Sequence, residues 1–159
     1  MKSAHSIIQE LNLLPHPEGG YYREIYRSNT QVYSQKSNEN RSAITCIYFL
    51  LTQGQKSCFH RVKHDEIWHF YLGAPLRLID FHTSTGKVHE YILGDYKHTL
   101  CAQQVIMANH WQAAESLGEY SLVGCSVAPG FDFKDFTFLK DHQDSVIIEK
   151  QHPDLHAFI

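Results

Sequence analysis

The chain has 159 residues, of which 43% are hydrophobic and 13% aromatic, enough to bury a core in one domain spanning residues 1–159. Its formal charge of −3 excludes the strongly basic surface on which nucleic-acid binding depends. The sequence has neither a run of about 18 apolar residues nor a basic and apolar leader, so we expect no membrane segment and no export. Cys46, Cys58, Cys101 and Cys125 are scattered singly, which favours reduced thiols in a cytoplasmic protein.

The N-terminal third predicts a helix, a turn and a strand. Ser3 can cap a short helix whose apolar residues recur at helical spacing. Two prolines and two glycines in residues 14–20 forbid regular structure and predict a turn. The aromatic run at residues 21–26 then predicts a strand. Residues 27–40 are polar and too long for a tight turn, so they predict either a lid over a site or an arm that packs on another subunit.

Short runs of β-branched and aromatic residues, separated by turn residues, fill most of the remaining chain. Their regular spacing predicts an all-β fold of the double-sheet jelly-roll type, with short helices at the N- and C-termini. Four phenylalanines within residues 131–138 follow the last long strand, and we expect them to cover an open end of the barrel. The predicted strands are residues 43–51, two strands within 54–73 that a turn at 61–65 connects, and residues 76–81, 87–93, 102–107, 111–116 and 120–127.

The stretch from Gly54 to Gly73 carries the main candidate site. Strand alternation places His60 on the side of Cys58, and Glu66 on the side of Trp68. If the two strands pair across the turn, His60 and Glu66 both face inward. An imidazole and a carboxylate that are close together in an apolar barrel shift one another's pKa or share a metal. We therefore predict that His60 and Glu66 form the centre of a functional site.

The spacing of Gly54, His60, Glu66 and Gly73 resembles the first cupin motif. Further blocks accompany this motif, at residues 14–24 (Leu-Pro-His-Pro-Glu-Gly-Gly-Tyr-Tyr-Arg-Glu), 47–51, 57–73 and 127–133. Together these blocks resemble the cupin-5 family, also called DUF985, and this resemblance covers nearly the entire chain. It implies a cupin jelly roll, or double-stranded β-helix, usually a homodimer, with a poorly defined biochemical role.

The chain departs from the cupin pattern at the metal ligands. In cupins that bind a metal, a second histidine stands two positions after the first, and another comes from the second motif. Val62 and Gln112 occupy these positions here. His60, Glu66 and the neutral amide oxygen of Gln112 remain, and one imidazole is too few for a tightly held transition metal. We therefore expect no cofactor, with a weakly held divalent metal on these three residues as the alternative.

Further side chains are candidates for contact with a substrate. Tyr48 lies in an apolar run, where its hydroxyl needs a partner, and is the candidate proton donor. Glu18 and Tyr22 follow the rigid turn and could close the mouth of a pocket. Arg41 could hold an anionic substrate group or form a structural ion pair. The predicted substrate-binding residues are Glu18, Tyr22, Arg41, Ser57, Trp68 and Gln112.

Most other histidines are predicted to lie on the surface. His64 and Asp65 occupy the turn between the two central strands, where solvated polar residues are usual. The rest lie in predicted turns, at the termini or on solvent-facing positions, without a partner at ligand spacing. They are His5, His16, His82, His89, His98, His142, His152 and His156.

Three functions are compatible with these residues, each with a small-molecule partner. The first is a metal-independent isomerase or epimerase acting on a sugar-like or keto substrate, with His60 as base, Glu66 supporting it and Tyr48 as acid. The chain is similar to cupin-fold sugar nucleotide epimerases, which use a barrel histidine and a tyrosine in this way. The second is a metal-dependent cupin enzyme of the dioxygenase or isomerase type. The third is a ligand-binding module without turnover.

Overall fold

A computed structural model describes residues 2–95, 97 and 101–159 of the chain, so the surface prediction for His98 lies outside the described residues. The structure has short 3₁₀ helices at Phe133–Asp135, Leu139–Asp141 and Pro153–Phe158. The helices and strands are, in chain order, α1 (Ala4–Glu10), β1 (Leu14–Pro15), β2 (Tyr21–Arg27), β3 (Gln31–Ser34), β4 (Glu39–Ser42), β5 (Thr45–Thr52), β6 (Lys56–Val62), β7 (Asp65–Gly73), β8 (Leu76–His82), β9 (Lys87–Leu93), β10 (Gln103–Ile106), β11 (Trp111–Ser116), β12 (Tyr120–Ala128), β13 (Phe136–Phe138) and α2 (Ser145–Gln151).

The described strands form two large antiparallel sheets and one small hairpin. One sheet has the strand order β1-β2-β5-β12-β7-β10, and the other has the order β13-β6-β11-β8-β9. Among the strands that the structure describes, β3 and β4 pair only with each other. This arrangement confirms the predicted all-β jelly roll with short terminal helices, and the predicted bounds of β9 and β11 agree with those observed.

Three apolar clusters hold these layers together. The central cluster lies between the sheets and contains Phe49 from one sheet and Leu78 from the other. The second packs the C-terminal helices, through Ile148 and Phe158, on the outer face of the five-stranded sheet. The third packs α1, through Ile7, on the outer face of the six-stranded sheet. The terminal helices therefore cover part of both outer faces.

The N-terminal helix forms as its sequence predicts. Ser3 is its N-cap, and Ser3 Oγ accepts a hydrogen bond from the backbone amide of Ser6 at 3.2 Å. This bond satisfies one of the amides that lack a partner in the first turn of a helix. The helices that the structure describes are too short or too polar to cross a bilayer.

The two central strands do not pair with each other, which corrects one prediction. Strand β6 pairs with β11 and β13, whereas β7 pairs with β12 and β10 in the opposite sheet. The turn between them therefore crosses from one sheet to the other. His60 and Glu66 still approach one another, but they do so across the cavity and not along one hairpin.

Residues 27–40, predicted to be a lid or an arm, contain the last residue of β2, the whole of β3 and the first two residues of β4. The hairpin is attached to the body of the same chain. Arg41 at its end donates two hydrogen bonds to Asp135, at 2.8 and 3.1 Å, and Ser37 Oγ donates to the same carboxylate at 2.8 Å. Within the described structure, the segment is thus part of a hairpin that packs beside the 3₁₀ helix Phe133–Asp135.

Candidate functional site

Glu18 is carried by the tight loop between β1 and β2. The amide of Gly19 donates to the carbonyl of His16 at 3.0 Å, and the amide of Cys58 donates to the carbonyl of Glu18 at 2.8 Å, so the loop lies against β6. Gly19 has a φ of 108°, and a Cβ at this position would lie 2.1 Å from the carbonyl oxygen of Lys56. Only glycine permits this approach. The loop thereby places the buried Glu18 side chain in the space between the sheets.

A β-bulge in β6 brings Ser57 and His60 to the same side of the strand. Gln112 in β11 pairs with His60, and Ala114 pairs with Ser57, so β6 carries one extra residue in this interval. Regular alternation would place Ser57 and His60 on opposite faces. Instead, Ser57 Oγ donates to Glu18 Oε1 at 2.8 Å, and His60 Nε2 lies 3.1 Å from Glu18 Oε2.

The contact between His60 and Glu18 requires a shared proton. His60 Nδ1 lies 2.8 Å from the carbonyl oxygen of Cys58. Because a carbonyl oxygen only accepts, Nδ1 carries a hydrogen, and in the neutral imidazole Nε2 is then the acceptor. Two acceptors facing each other at 3.1 Å would repel, so a hydrogen lies between His60 Nε2 and Glu18 Oε2.

Burial determines which of the two groups holds this hydrogen. It raises the pKa of Glu18 to about 7, against the opposing effects of His16 and the hydrogen bond from Ser57. It also lowers the pKa of His60, although the nearby charge of Glu66 opposes this shift. Both shifts favour neutral groups, so the Glu18 carboxyl holds the proton and donates it to the imidazole. The pair can therefore release or accept one proton close to neutral pH.

Glu66 is the second buried carboxyl of the site. Its Oε2 accepts a hydrogen bond from Gln112 Nε2, while Gln112 Oε1 accepts one from Trp68 Nε1 at 2.9 Å. Because an indole N–H only donates, the amide oxygen of Gln112 must face Trp68 and its amino group must face Glu66. Burial raises the pKa of Glu66, although the charge on His60 opposes this shift, and the thiol of Cys125 also hydrogen-bonds to the carboxyl.

These contacts test the metal alternative. The oxygen of Gln112 is already used by Trp68, so it is not available as a ligand. Val62, which replaces the second histidine of the motif, lines the cavity with an apolar side chain. Within the described ranges, no group of three or more His, Cys, Asp or Glu side chains has a geometry that could hold a metal ion. A metal held by His60, Glu66 and Gln112 therefore does not fit this donor set.

Glu18, His60 and Glu66 line a cavity of about 470 Å³, within the usual range for small-molecule sites. Much of its wall is aromatic. The ring of Phe136 stacks on His60 with the centroids 5.1 Å apart. Other lining residues are Tyr22, Glu24, Arg27, Thr45, Ile47, Phe49, Cys125, Val127, Phe131, Asp132 and Phe133.

His16 also lines the cavity, although the sequence predicted it to be on the surface. Its side chain is only 7% exposed, and its ring lies edge-on to Tyr22 with the centroids 4.6 Å apart. The amide of Glu18 donates to His16 Nδ1 at 3.3 Å. Burial lowers the pKa of His16, with the charge of Glu18 opposing this shift. Its position between two prolines, two residues before Glu18, is the signal that could have identified it.

Tyr48 lies outside the cavity, which corrects its prediction as the proton donor. Ile47 and Phe49 on either side of it line the cavity, so strand alternation directs Tyr48 to the outer face of β5. There its ring packs against Tyr71, with the centroids 5.9 Å apart, and lines a separate groove beside α1. Its hydroxyl is therefore not placed to give a proton to a molecule bound next to His60.

Arg41 is likewise not among the residues that line the cavity. It is buried and makes a two-point ion pair with Asp135, and it also contacts Glu39 at 2.8 Å. Of the two roles considered for Arg41, the structure supports the structural ion pair, because its guanidinium is already used by carboxylates of the same chain.

The other predicted site residues fall into two groups. Some line the cavity directly, whereas others are buried behind its wall and hold the carboxyls through hydrogen bonds. The second group can affect a ligand only through Glu18 or Glu66. The lining residues are Glu18, Tyr22, His60 and Glu66, and the supporting residues are Ser57, Trp68 and Gln112.

Comparisons with known proteins agree with this architecture. The family described as the cupin superfamily (DUF985) matches residues 5–139. An uncharacterized protein of Saccharomyces cerevisiae is 28% identical over 158 residues, covering 89% of this chain and 78% of that protein. Among solved structures, protein SO0799 from Shewanella oneidensis is 32% identical with a TM-score of 0.85, covering 99% of this chain and 97% of that chain. A hypothetical protein from Leishmania major is 29% identical with a TM-score of 0.83 and the same coverage.

A more distant likeness concerns the fold alone. Oxalate decarboxylase from Bacillus subtilis is 15% identical with a TM-score of 0.59, and the match covers 87% of this chain but 34% of that chain. The family match at residues 5–139 spans most of the sequence, and the likenesses to the Shewanella oneidensis and Leishmania major structures cover 99% of it. The assignment therefore does not depend on the more distant neighbour. The chain belongs to the cupin-5 (DUF985) family of the cupin superfamily, a poorly characterised group of jelly-roll proteins.

Proposed function

We propose that this protein binds an uncharged keto or sugar-like molecule in its cavity and isomerises or epimerises it without a metal. The observation that carries the proposal is the contact of 3.1 Å between His60 Nε2 and Glu18 Oε2 at the cavity wall. A buried carboxyl whose pKa is raised to about 7 is suited to general acid–base catalysis, because it is readily protonated and deprotonated at neutral pH.

The two buried carboxyls suit different steps of proton transfer. In the proposed reaction, the proton between the two groups first moves from Glu18 to His60 Nε2, and the Glu18 carboxylate so formed removes the proton next to the substrate carbonyl. Glu66, whose pKa is raised by burial, donates its proton to the carbonyl oxygen, which gives the enediol. Glu66 then takes a proton from the hydroxyl of the neighbouring carbon while Glu18 delivers its proton to the former carbonyl carbon, and His60 returns its proton to Glu18, so the proton count is unchanged. Glu18 thus takes the role of base that the sequence assigned to His60.

The charges around the cavity favour an uncharged substrate. The carboxylates of Glu24 and Asp132, which also line the cavity, would repel a phosphate or carboxylate group. Arg27, which lines the exposed end, is paired with Glu24, with a distance of 2.7 Å between NH2 and Oε2. The aromatic walls, by contrast, suit the apolar faces of a sugar ring or a short keto compound. We therefore favour keto compounds and free sugars over their phosphorylated forms.

Proton exchange with solvent tests this proposal. The protein is incubated in D₂O with a panel of hydroxyketones and free keto sugars, and NMR follows the loss of the C–H signal next to the carbonyl. The wild type is expected to exchange at least one member of the panel. Glu18→Gln should lower that rate by about a hundredfold or more, since the amide does not accept the proton.

Two control variants separate this effect from general damage. His69→Gln alters a histidine that contacts Ser126 and is not among the residues lining the cavity. Tyr48→Phe removes the hydroxyl that the sequence had suggested as the acid. Both should retain the exchange rate of the wild type. Ligand-induced thermal stabilisation without exchange would contradict the isomerase and favour the binding module, and loss of exchange in Tyr48→Phe would contradict the roles assigned to Glu18 and Glu66.

A further inference from the structure

A second cluster of polar side chains lies between the β3–β4 hairpin and the body of the chain, outside the cavity. Ser34 Oγ lies 2.6 Å from His64 Nε2, and both residues are 3% exposed. His64 Nδ1 lies 3.8 Å from Asp135 Oδ2 and has no hydrogen-bond partner among the described residues. A hydroxyl, an imidazole and a carboxylate thus stand in sequence, in the order of a serine nucleophile, its base and the group that orients the base.

The carboxylate determines which imidazole nitrogen carries the hydrogen. Burial opposes ionisation of Asp135, but hydrogen bonds from Arg41 and Ser37 outweigh it and lower the pKa of this carboxyl. A negative charge beside Nδ1 favours the tautomer with the hydrogen on Nδ1. Nε2 is then an acceptor, so the Ser34 hydroxyl donates to it. The backbone amide of Ser37 donates to Ser34 Oγ at 3.1 Å and leaves the Ser34 hydrogen free for His64.

The cluster opens into a small pocket of its own. Its volume is about 270 Å³, and Ser34, His64 and Lys36 all line it. Tyr33 and Pro129 supply an apolar side. Lys36 is close enough to affect the pKa of His64, so its cationic side chain can also stabilise negative charge that develops beside Ser34. A pocket of this size can hold a small acyl group.

We infer that Ser34, His64 and Asp135 form a second reactive site, in which Ser34 is a nucleophile toward small esters. In the reaction, Ser34 Oγ bonds to the carbonyl carbon while its proton passes to His64 Nε2. The bond from carbon to the leaving alkoxide breaks, and His64 returns the proton to that oxygen. Water then releases the acid by the same steps, with His64 as base. The site is independent of the proton transfer proposed for Glu18.

An ethoxy fluorophosphonate probe tests the nucleophile directly in the full chain. Attack by Ser34 forms an O–P bond and breaks the P–F bond, and the serine proton leaves with fluoride through His64. Intact mass should show one adduct, and peptide mapping should place it on Ser34. Ser34→Ala should abolish that adduct, and His64→Gln should slow its formation by about a hundredfold.

Ser126→Ala is the matched control, because Ser126 also contacts a histidine, His69, at 3.2 Å but is not in this cluster. It should label like the wild type. If His64→Gln does not fold by thermal melting, the labelling rate of the wild type from about pH 5 to 8 replaces it, and the rate should rise as His64 loses its proton. An unlabelled Ser34 in excess probe, or a rate that is independent of both His64 and pH, overturns the inference.

The pH dependence of the labelling rate reports the protonation of His64, whose pKa depends on the charged groups around it. Burial lowers its pKa, the charge of Asp135 opposes this, and Arg41, Lys36 and Lys63 lower it further. The labelling rate should therefore reach its plateau below the pH expected for an exposed histidine. A labelling rate that rises only at alkaline pH would indicate lysine chemistry or uncatalysed attack. It would count against the site formed by Ser34, His64 and Asp135.

Discussion

Substitution of Glu18 by glutamine should change how the stability of this protein depends on pH. The pKa of Glu18 is raised from its ordinary value of 4.5 to about 7 by burial. The folded state therefore binds the Glu18 proton more tightly than the unfolded state does. The contribution of a raised carboxyl to stability is fully present below pH 4.5 and is lost as the pH rises through about 7.

The size of the effect follows from the shift. A rise from 4.5 to about 7, at about 1.4 kcal/mol per unit, corresponds to about 3 kcal/mol. Glutamine resembles the protonated carboxyl: its oxygen can accept from Ser57, and its amino group can donate to His60 Nε2. Relative to the wild type, Glu18→Gln should therefore gain about 3 kcal/mol of unfolding free energy between acidic and mildly alkaline pH.

Urea unfolding of both proteins at several pH values between about 4 and 8 measures this difference. Glu115→Gln is the control, because its stability relative to the wild type should change with pH in the opposite direction. Burial acts to raise the pKa of Glu115, but hydrogen bonds from Lys56 and Arg77 outweigh it and lower this pKa. The Glu115→Gln variant should thus lose stability relative to the wild type as the pH rises. A difference between the wild type and Glu18→Gln that does not change with pH would refute the assignment of a raised pKa to Glu18.

Two further predictions concern buried networks. Gln112→Leu should lower the free energy of unfolding by about 2–5 kcal/mol, because it leaves the Trp68 indole N–H without its partner and removes the amide hydrogen bond to the Glu66 carboxyl. Urea unfolding measures it, and a loss below about 1 kcal/mol would show that water replaces the amide. Arg41→Met should cost about 3–5 kcal/mol by leaving the buried Asp135 carboxylate without its main partner. The same assay would contradict the structural role of this pair if the variant were as stable as the wild type.

The ion pair of Arg41 and Asp135 also connects the hairpin to the cavity. Asp135 lies between Phe133 and Phe136 in the chain, and both phenylalanines line the cavity. The pair therefore helps to hold the aromatic wall that stacks on His60. The β3–β4 hairpin can therefore affect the aromatic wall although its residues are not among those that line the cavity.

Much of the fold could be predicted because its elements carry local signals. Strands β9 and β11 are bounded by turn residues, and their predicted limits agree with those observed. The cap of α1 at Ser3 is also a local feature. The pairing of β6 with β11 and β13 could not be predicted in this way, because it depends on which sheet each strand joins after the turn at residues 61–65.

In the candidate site, too, contacts between distant segments could not be predicted from local signals. That His60 and Glu66 face one cavity could be predicted from their positions in the sequence, but the partner of His60 could not. Glu18 is 42 positions away in the sequence, and it reaches His60 only because Gly19 allows its loop to approach β6. The bulge that turns Ser57 toward the same carboxyl leaves no clear local signal, because alternation alone predicts the opposite face.

The sequence by itself determined the all-β class, the positions of most strands and the family, because these depend on periodicity and on motifs that are local in the chain. Only the tertiary structure decided that His16 lines the cavity, that Glu18 contacts His60, that Tyr48 faces away from the cavity and that the amide oxygen of Gln112 accepts from Trp68. Each of these outcomes depends on contacts between distant segments and on the burial that shifts pKa values, which strand periodicity does not encode.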